Sequence, residues 1–234
     1  MAQRAVLFFD IDNCLYPIGT QIHPIMSNLI DKFFMTHLSL SEEDATALHQ
    51  KYYKDYGLAI EGLVRHHSAI DPLEFNAQVD DALPLEDILK PDEELQKLLA
   101  DLDTTKVKPW LFTNAYVTHG RRVVRLLGVE KYFEGLTYCD YAAPEGRIIA
   151  KPSREMFAKA MREAGVEDMK DCFFVDDSYM NVKAAASLGW TAVHLLYPSQ
   201  PRPPTPASEY QIQNLQELRK IFPQFFKSTN SVLS

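Results

Sequence analysis

A chain of 234 residues is long enough for one domain with an insertion, or for two small domains. Hydrophobic residues make up 46% of it and charged residues 24%, which predicts a globular protein with a substantial core. The formal net charge of −8 argues against a nucleic-acid polymer or an anionic membrane as partner, because an acidic surface repels phosphate groups. A small anionic substrate is compatible with this charge if one pocket is locally positive.

The cysteines and the N-terminus indicate an intracellular protein. Cys14, Cys139 and Cys172 are odd in number and widely spaced, so neither a disulfide framework nor a zinc site is expected. The first residues run directly into an apolar, strand-like segment, and no apolar run approaches the ~20 residues that span a bilayer. We therefore expect a soluble protein of the cytoplasm, or of cytoplasm and nucleus, with no membrane association and no obligate protein partner.

Short, continuous apolar runs predict strands that are buried on both faces of a parallel sheet. The predicted strands are 5–11, 107–112, 135–139, 172–175 and 191–196. The second of them is imperfect, because Pro109 removes a hydrogen-bond donor.

Helical patterns lie between these strands. The predicted helices of this part are 92–102, 115–127, 153–164 and 179–188. The last three are followed directly by Gly128, Gly165 and Gly189, which suit the position after a helix. Strands that alternate with helices predict an α/β protein with a doubly wound, Rossmann-like parallel sheet.

One long stretch does not fit this alternation. From about residue 23 to residue 89 the pattern is only helical, with predicted helices at 25–34, 42–56 and 73–79. This gap far exceeds the ordinary loop of ~2–6 residues. We predict a helical cap over 17–89, inserted into a core formed by 1–16 and 90–234.

The C-terminal part has its own pattern. Residues 198–206 are rich in proline and predict an extended connector. Residues 211–226 predict a last helix, and the final residues are expected to be disordered.

The first predicted strand leads into two acids, Asp10 and Asp12. A turn after the strand lets both carboxylates reach one pocket, where they repel unless a cation separates them or one holds a proton. In phosphoryl transfer, one carboxylate can attack phosphorus while the other protonates the leaving oxygen and later activates water. Taken alone, the pair fits solvated loop carboxylates or a helix cap equally well.

Two further segments offer groups that bind phosphate. Thr113 and Asn114 follow the second strand and supply a hydroxyl, an amide and backbone N–H groups at a helix start. A plain helix N-cap is the commoner use of such residues. Lys151 precedes another helix, where an ammonium group could neutralise phosphate and hold a carboxylate, although most lysines simply lie at the surface.

The strand at 172–175 is followed by Asp176 and Asp177, with Asn181 soon after. Adjacent acids beyond a buried strand suit Mg²⁺, which prefers a few carboxylates together with water and phosphate oxygens. The competing interpretation is an N-cap for the next helix, and a second acid in tandem makes that interpretation weaker.

The joint pattern is far more specific than its parts. In chain order the segments read DxD, TN, a single K and DD, which resembles the motif series of the haloacid dehalogenase-like (HAD) hydrolases. The resemblance runs from Val6 to about Leu196. It implies that Asp10 is the nucleophile and a Mg²⁺ ligand. It also implies that Asp12 is the general acid and base and offers its backbone carbonyl to the metal.

The same resemblance implies roles for the other motif residues. Thr113 and Asn114 would hold the phosphate, and Lys151 would stabilise a phosphoaspartate. Asp177, with Asp176 beside it, would complete the Mg²⁺ site. The substrate would be a small phosphomonoester.

Two residues of the first motif carry further information. Dehalogenases of this superfamily lack the second aspartate, so Asp12 favours the phosphatase branch. Cys14 departs from the threonine of many relatives, and a thiol holds a loop less firmly because it is a weaker hydrogen-bonding group. We do not expect Cys14 to be a nucleophile, because no histidine lies near it in sequence and Asp10 already has that role.

The insertion falls where this family places its cap, which closes over the substrate and excludes water. The residues FFDIDN at 8–13, LYP at 15–17 and YGL at 56–58 resemble the pyrimidine 5′-nucleotidase group typical of fungi. That resemblance implies a nucleoside monophosphate substrate such as UMP or CMP.

Tyr16, Arg65, His66 and His67 are the candidate contacts with a base or ribose, because their side chains stack or donate hydrogen bonds. For Arg65 and His66, a solvated helix end whose cations complement the helix dipole is the favoured alternative.

Other functions remain open at this point. A lysophosphatidate or sugar-phosphate phosphatase would use the same motifs with a different leaving group. A sugar phosphomutase would keep the phosphoaspartate but transfer the phosphoryl group to a sugar. A catalytically silent binding module would not need acids that repel one another.

Overall fold

The computed structural model describes residues 4–143 and 147–228. Within these residues, six strands form one sheet in the order β3-β2-β1-β4-β5-β6, and every neighbouring pair is parallel. The strands are β1 Ala5–Phe9, β2 Val107–Phe112, β3 Leu136–Thr137, β4 Cys172–Asp176, β5 Thr191–Leu195 and β6 Tyr210–Ile212. The predicted α/β class is confirmed.

Ten α-helices accompany the sheet in the described ranges, and none has the length and apolar character to cross a bilayer. Five of them, between β1 and the sixth helix, are α1 Ile22–Leu38, α2 Glu42–Tyr56, α3 Ala59–His66, α4 Pro72–Gln78 and α5 Leu85–Ile88. The others are α6 Glu93–Ala100, α7 Val117–Leu126, α8 Arg154–Ala164, α9 Tyr179–Ser187 and α10 Leu218–Ile221.

The central strand β1 lies between β2 and β4, at the point where the strand order reverses. Phe9 is in register with Leu111 of β2 and with Val175 of β4. The backbone N–H of Asp10 then donates to the carbonyl of Val175 at 2.9 Å. Because the ends of parallel strands meet at one edge, the residues after β1, β2 and β4 share one crevice.

Side chains of the sheet alternate between two apolar layers. Leu7 and Phe9 point into a core shared with α6, α7 and the C-terminal segment. Val6 and Phe8 point to the other face, against α8 and α9. Burial on both faces explains why β1 is continuously apolar and not alternating in sequence.

Pro109 is accommodated within β2 by its register. The N–H groups of Leu111 and Thr113 point towards β3 and donate to Gly135 and Thr137. The nitrogen of Pro109 points to the same side. It lies opposite residues that precede the start of β3 at Leu136, so no strand is there to accept a hydrogen bond. The missing donor therefore costs no ladder hydrogen bond.

The inserted helices form a third apolar cluster with part of the core. Residues of α1 to α4 pack with Cys139, Tyr141 and Ile148, which follow β3. Ile22 of α1 and Leu85 of α5 belong instead to the main core, so both ends of the insertion are anchored near the sheet. The exact limits of the cap, 17–89, stay a prediction.

The predicted helix at 211–226 is wrong. Gln211 and Ile212 lie in β6, which pairs with β5 at the edge of the sheet, and only α10 is helical beyond it. Pro223 ends the helical pattern because it lacks an N–H, and Phe222 and Phe225 pack edge-on against Phe173. The expected disorder of the final residues, 229–234, lies outside the described residues.

The crossing of α2 and α3 in the insertion depends on Gly62. A Cβ added to this residue would lie 2.3 Å from Cγ and 2.6 Å from Cβ of Tyr52, atoms close to the backbone that cannot swing away. We expect Gly62→Ala to lower the free energy of unfolding by about 1–2 kcal/mol. Overpacking outweighs the better helix propensity of alanine, which is roughly 1 kcal/mol. The corresponding fall in Tm, about 2–8 °C, is measurable by calorimetry.

Gly19→Ala is the matched control, because a Cβ at Gly19 meets nothing within 4 Å. Its Tm should stay within about 2 °C of the wild type. Equal Tm values for the two variants would contradict the close packing of α2 on α3.

Candidate active site

Lys151 is the centre of the crevice at the ends of β1, β2 and β4. Its fully buried ammonium Nζ donates to Asp10 Oδ1 at 2.7 Å, to Asp176 Oδ2 at 2.8 Å and to the backbone carbonyl of Phe112 at 2.7 Å. These three bonds use all three of its protons. Burial acts to lower the pKa of Lys151, but Asp10 and Asp176 outweigh it and raise the pKa, so the group stays charged.

Asp176 is held by donors on both carboxylate oxygens. Its Oδ1 accepts from the backbone N–H of Ser178 at 2.7 Å. Its Oδ2 accepts from Lys151 and from the side-chain amide of Asn181, the latter at 3.0 Å. Asp176 therefore holds the loop after β4 in place through these hydrogen bonds. The carboxylate of the neighbouring Asp177 remains available to bind a cation.

Three acids converge around a space that suits Mg²⁺. Asp10, Asp176 and Asp177 each offer a carboxylate oxygen, and these oxygens lie within 4.8 Å of one another. Burial first, and then the charge of Asp176, raises the pKa of Asp10 well above its ordinary value and that of Asp177 to about 7. A divalent cation would relieve this repulsion, and hard oxygen ligands are those that Mg²⁺ prefers.

Asp12 is held by two donors that the sequence did not indicate as its partners. The hydroxyl of Tyr16 donates to Asp12 Oδ1 at 2.6 Å, and Nε2 of the buried His119 donates to the same oxygen at 2.7 Å. Burial alone would raise the pKa of Asp12, but the charge of His119 and the two hydrogen bonds lower it. Burial likewise acts to lower the pKa of His119, but Asp12 outweighs this effect and raises that pKa to about 9.

Thr113 and Asn114 lie at the predicted place after β2. The Asn114 side chain forms two hydrogen bonds with the backbone of Lys151, accepting from its N–H at 2.7 Å and donating to its carbonyl at 2.8 Å. The buried Thr113 hydroxyl oxygen accepts from the N–H of Ala115 at 3.0 Å. Asn114 thus positions the lysine. Phosphate binding by Thr113 and Asn114 stays a prediction.

The loop after β1 is anchored despite the unusual Cys14. The buried thiol of Cys14 donates to the carbonyl of Val175 at 3.7 Å. The hydroxyl of Tyr197 donates to the carbonyl of Asn13, whose φ of 57° is a left-handed conformation that asparagine tolerates. Burial, followed by the charge of Asp10, raises the pKa of the Cys14 thiol well above its ordinary value, so it is not a thiolate nucleophile.

The inserted helices reach the crevice at the end of α2. Gly57 ends this helix in a left-handed conformation, and a Cβ there would lie 3.2 Å from the carbonyl oxygen of Lys151. One turn earlier, the side chain of Tyr53 is 55% exposed. Partial burial and then the charges of Asp177 and Asp176 raise the pKa of its hydroxyl.

The other candidate contacts of the cap have local partners. Arg65 pairs with Glu61 at 2.6 Å and lies over the ring of Tyr56 at 5.2 Å. The Nε2 atom of His66 is 2.6 Å from the hydroxyl of Tyr56. Both residues lie in the last turn of α3, and their contact with a substrate stays a prediction. The same holds for Tyr16, which is buried and bonded to Asp12.

Sequence reasoning missed His119 altogether. A signal for it exists, because His119 belongs to the buried stripe of α7 with Val123 and Val124. A polar residue on such a stripe needs a hydrogen-bond partner. The sequence does not say that this partner lies 107 positions earlier, at Asp12.

A curated relative is similar to most of this chain. Phosphate metabolism protein 8 of Saccharomyces cerevisiae is 39% identical over 199 residues, which cover 82% of this chain and 62% of the yeast protein. The chain thus spans about three fifths of the length of this curated relative.

Solved structures share the fold. The HAD phosphatase of Thermococcus onnurineus superposes with a TM-score of 0.62 and 21% identity. The HAD hydrolase YfnB of Bacillus subtilis, solved with magnesium bound, has a TM-score of 0.62 and 14% identity. Each comparison covers 94% of this chain and 98% of the other.

A family model provides the assignment. The model of the haloacid dehalogenase-like hydrolases matches residues 5–189, a span that includes every motif residue from Asp10 to Asp177. The resemblance read from the four motifs is therefore confirmed, and the chain belongs to the haloacid dehalogenase-like hydrolase family.

Proposed function

We propose that the protein is a Mg²⁺-dependent phosphomonoesterase that forms a transient phosphoaspartate on Asp10. The observation that carries this proposal is the position of the buried Lys151 ammonium between Asp10 and Asp176. With Asp12 beside Asp10 and Asp177 beside Asp176, the crevice contains a nucleophile, a proton donor and a cation site. These are the groups that phosphoryl transfer needs.

In the first step, a carboxylate oxygen of Asp10 attacks phosphorus and the bond from phosphorus to the leaving oxygen breaks. Only the protonated form of Asp12 can give its proton to that oxygen, and the lowered pKa of Asp12 makes this the minor form of the free site. After the transfer the alcohol departs. Lys151 keeps its charge against Asp10 and so compensates the negative charge that gathers there.

In the second step, water attacks the phosphorus of the phosphoaspartate. Asp12 takes a proton from this water, inorganic phosphate leaves, and the Asp10 carboxylate is regenerated. A bound Mg²⁺, held by Asp10 and Asp177 and by the backbone carbonyl of Asp12, would offset the charges of the acids and the phosphate. Asp176 would keep Lys151 and the loop in place.

We propose a pyrimidine nucleoside 5′-monophosphate, UMP or CMP, as substrate. The residues at 8–13, 15–17 and 56–58 resemble the fungal nucleotidase group. The exposed Tyr53, one turn before the Gly57 that packs against Lys151, offers a ring for stacking. A small phosphomonoester also fits a chain with a net charge of −8, which disfavours nucleic-acid polymers and membranes. From the cysteine usage we place the enzyme in the cytoplasm.

The decisive test is phosphate release by purified protein with Mg²⁺. UMP and CMP should be hydrolysed, and Asp10→Asn should lower kcat by at least about 10³-fold, because an amide cannot attack phosphorus. The screen should include a lysophosphatidate, a sugar phosphate and p-nitrophenyl phosphate. Glu209→Gln, at an exposed acid far from β1 in sequence, is the control and should retain wild-type kcat.

The screen also separates the alternatives. Release from the lysophosphatidate or sugar phosphate alone would reject the nucleotide assignment but keep the mechanism. In ¹⁸O-labelled water, hydrolysis places one labelled oxygen in each released phosphate, whereas a phosphomutase passes the phosphoryl group to a sugar. No release from any phosphomonoester would reject the proposal.

The metal site predicts how stability depends on pH. In EDTA, the folded pKa of Asp177, about 7, exceeds its unfolded value, so the folded protein binds the extra proton. The resulting stability is complete below about pH 4 and is lost as pH rises through about 7. We expect the loss between pH 4 and pH 8 to be roughly 2–4 kcal/mol, visible as a falling Tm.

Added Mg²⁺ should reverse this loss at pH 8 and have little effect at pH 5, where a proton already neutralises Asp177. Asp177→Asn should reduce the pH dependence in EDTA, of which Asp10 and His119 keep their parts, and weaken the response to Mg²⁺. Glu209→Gln should change neither. An equal pH dependence in Asp177→Asn and wild type would contradict the role given to Asp177.

Substitutions of Tyr53 test whether the leaving group is a nucleoside whose base stacks on this ring. Base stacking on an aromatic ring is worth about 1–3 kcal/mol, so Tyr53→Ala should raise KM for UMP by roughly 5–100-fold. It should leave hydrolysis of p-nitrophenyl phosphate within about twofold of wild type, since no base is present. Tyr53→Phe keeps the ring and most of the affinity.

Leu73→Ala is the control, because Leu73 is another exposed apolar residue of the inserted helices. An unchanged KM for UMP in Tyr53→Ala would remove Tyr53 from the binding site and leave the phosphatase mechanism intact.

A further inference from the structure

The two donors to Asp12 both bind the same carboxylate oxygen. Tyr16 and His119 approach Oδ1 at 2.6 Å and 2.7 Å, one from the loop after β1 and the other from α7. A carboxylate oxygen has about two lone-pair sites, and hydrogen bonds to an ionised group are strong. Oδ1 is therefore saturated, and the carboxylate cannot rotate without breaking both bonds.

The other oxygen of Asp12 is then the one available for chemistry. We infer that Oδ2 of Asp12 gives the proton to the leaving oxygen and later takes one from water, and that His119 is the positioning residue that fixes this choice. The inference rests on the proposed function and deepens it, because it assigns the proton transfer to one atom.

His119 is well placed for this task. Its imidazole is fully buried, and in the described residues its one hydrogen bond is to Asp12, since Nδ1 has no partner. Among the described residues, the imidazole therefore forms a hydrogen bond with Asp12 and with no other group. The buried carboxylate of Asp80, in the segment between α4 and α5, acts on the ring through its charge.

The helix that carries His119 is fixed on both sides of this residue. The hydroxyl of Thr118 donates to Asp81 Oδ1 at 3.0 Å, and the guanidinium of Arg122 donates to the carbonyl of Leu83 at 2.7 Å. Both partners belong to the segment between α4 and α5. The first turns of α7 are thereby held against this segment, which keeps the imidazole at a constant distance from Asp12.

The role of His119 should depend on the leaving group. An alkoxide is a strong base and leaves only with a proton, for which general acid catalysis contributes about 10²–10⁴-fold. p-Nitrophenolate is a weak base and leaves without that proton. Loss of the His119 hydrogen bond should therefore slow the hydrolysis of UMP, an alkyl phosphate, far more than that of p-nitrophenyl phosphate.

Two substitutions distinguish hydrogen bonding from packing. The amide nitrogen of glutamine can take the place of Nε2, whereas that of asparagine takes the place of Nδ1 and cannot reach Asp12. We expect His119→Asn to lower kcat/KM for UMP by roughly 10–100-fold and for p-nitrophenyl phosphate by less than about 3-fold. His119→Gln should restore kcat/KM for UMP to within about 5-fold of wild type.

Val123→Ala is the matched control, since it removes buried volume one turn further along α7 without touching Asp12. It should affect both substrates equally. Equal losses on both substrates in His119→Asn, or no difference between the glutamine and asparagine variants, would overturn the inference.

A measurement without substrate separates this inference from the proposed function. In ¹⁵N NMR spectra of the imidazole, Nε2 of His119, identified by its loss in His119→Gln, should carry a proton. Its signal should shift in Asp12→Ala and stay in place in Glu209→Gln, at an exposed acid outside this contact. An unprotonated Nε2, or a signal that does not respond to Asp12→Ala, would overturn the inference. Failure of the proposed function would instead appear as an inactive wild-type protein with the expected spectrum.

Discussion

The buried ammonium of Lys151 is the interaction on which the rest of the site depends. A lone ion in a protein interior costs several kcal/mol, and here the cost is offset by two carboxylates and a carbonyl at hydrogen-bond distance. Removing the lysine would leave the buried carboxylates of Asp10 and Asp176 uncompensated. The side chain of Asn114 fixes the backbone of Lys151. Ser178 and Asn181 fix the carboxylate of Asp176, so both partners of this ion pair are positioned by hydrogen bonds.

This arrangement leaves an excess of negative charge. One lysine stands against Asp10, Asp176 and Asp177, and burial keeps solvent from screening them. A bound proton or divalent cation relieves the repulsion between these carboxylates, and without either of them the repulsion destabilises the site. The same excess makes the family chemistry possible, because the cation that relieves it also attracts a phosphate group.

Much of this was predictable because the signals were local. Buried parallel strands have continuous apolar runs, and the polar residues that follow them lie at one edge for topological reasons alone. The motifs around Asp10, Lys151 and Asp177 were therefore enough to predict that these residues meet. Contacts between distant segments left no such trace. Nothing near His119 in sequence shows that it binds Asp12, 107 positions earlier, and only the fold brings α7 to the loop after β1.

The predicted helix near the C-terminus was wrong for a different reason. Residues 211–226 have a helical pattern, but the edge of β5 offers backbone partners to Gln211 and Ile212 that an isolated helix cannot match. Pairing with a sheet edge is a tertiary effect that overrides weak local propensity.

The position of Lys151 in the chain has a consequence for how the protein is made. The ion pair between Lys151 and Asp10 joins residues 141 positions apart. The strand β1 lies between β2 and β4, so it can pair with neither until they have been synthesised. Contacts of such high sequence separation form late and slow folding. A growing chain on the ribosome therefore carries Asp10 without its lysine partner until the next 141 residues have been made. The pairs of Lys151 with Asp10 and Asp176 are complete only once β4 has been made, so an intact ion-pair cluster marks a completed centre of the sheet.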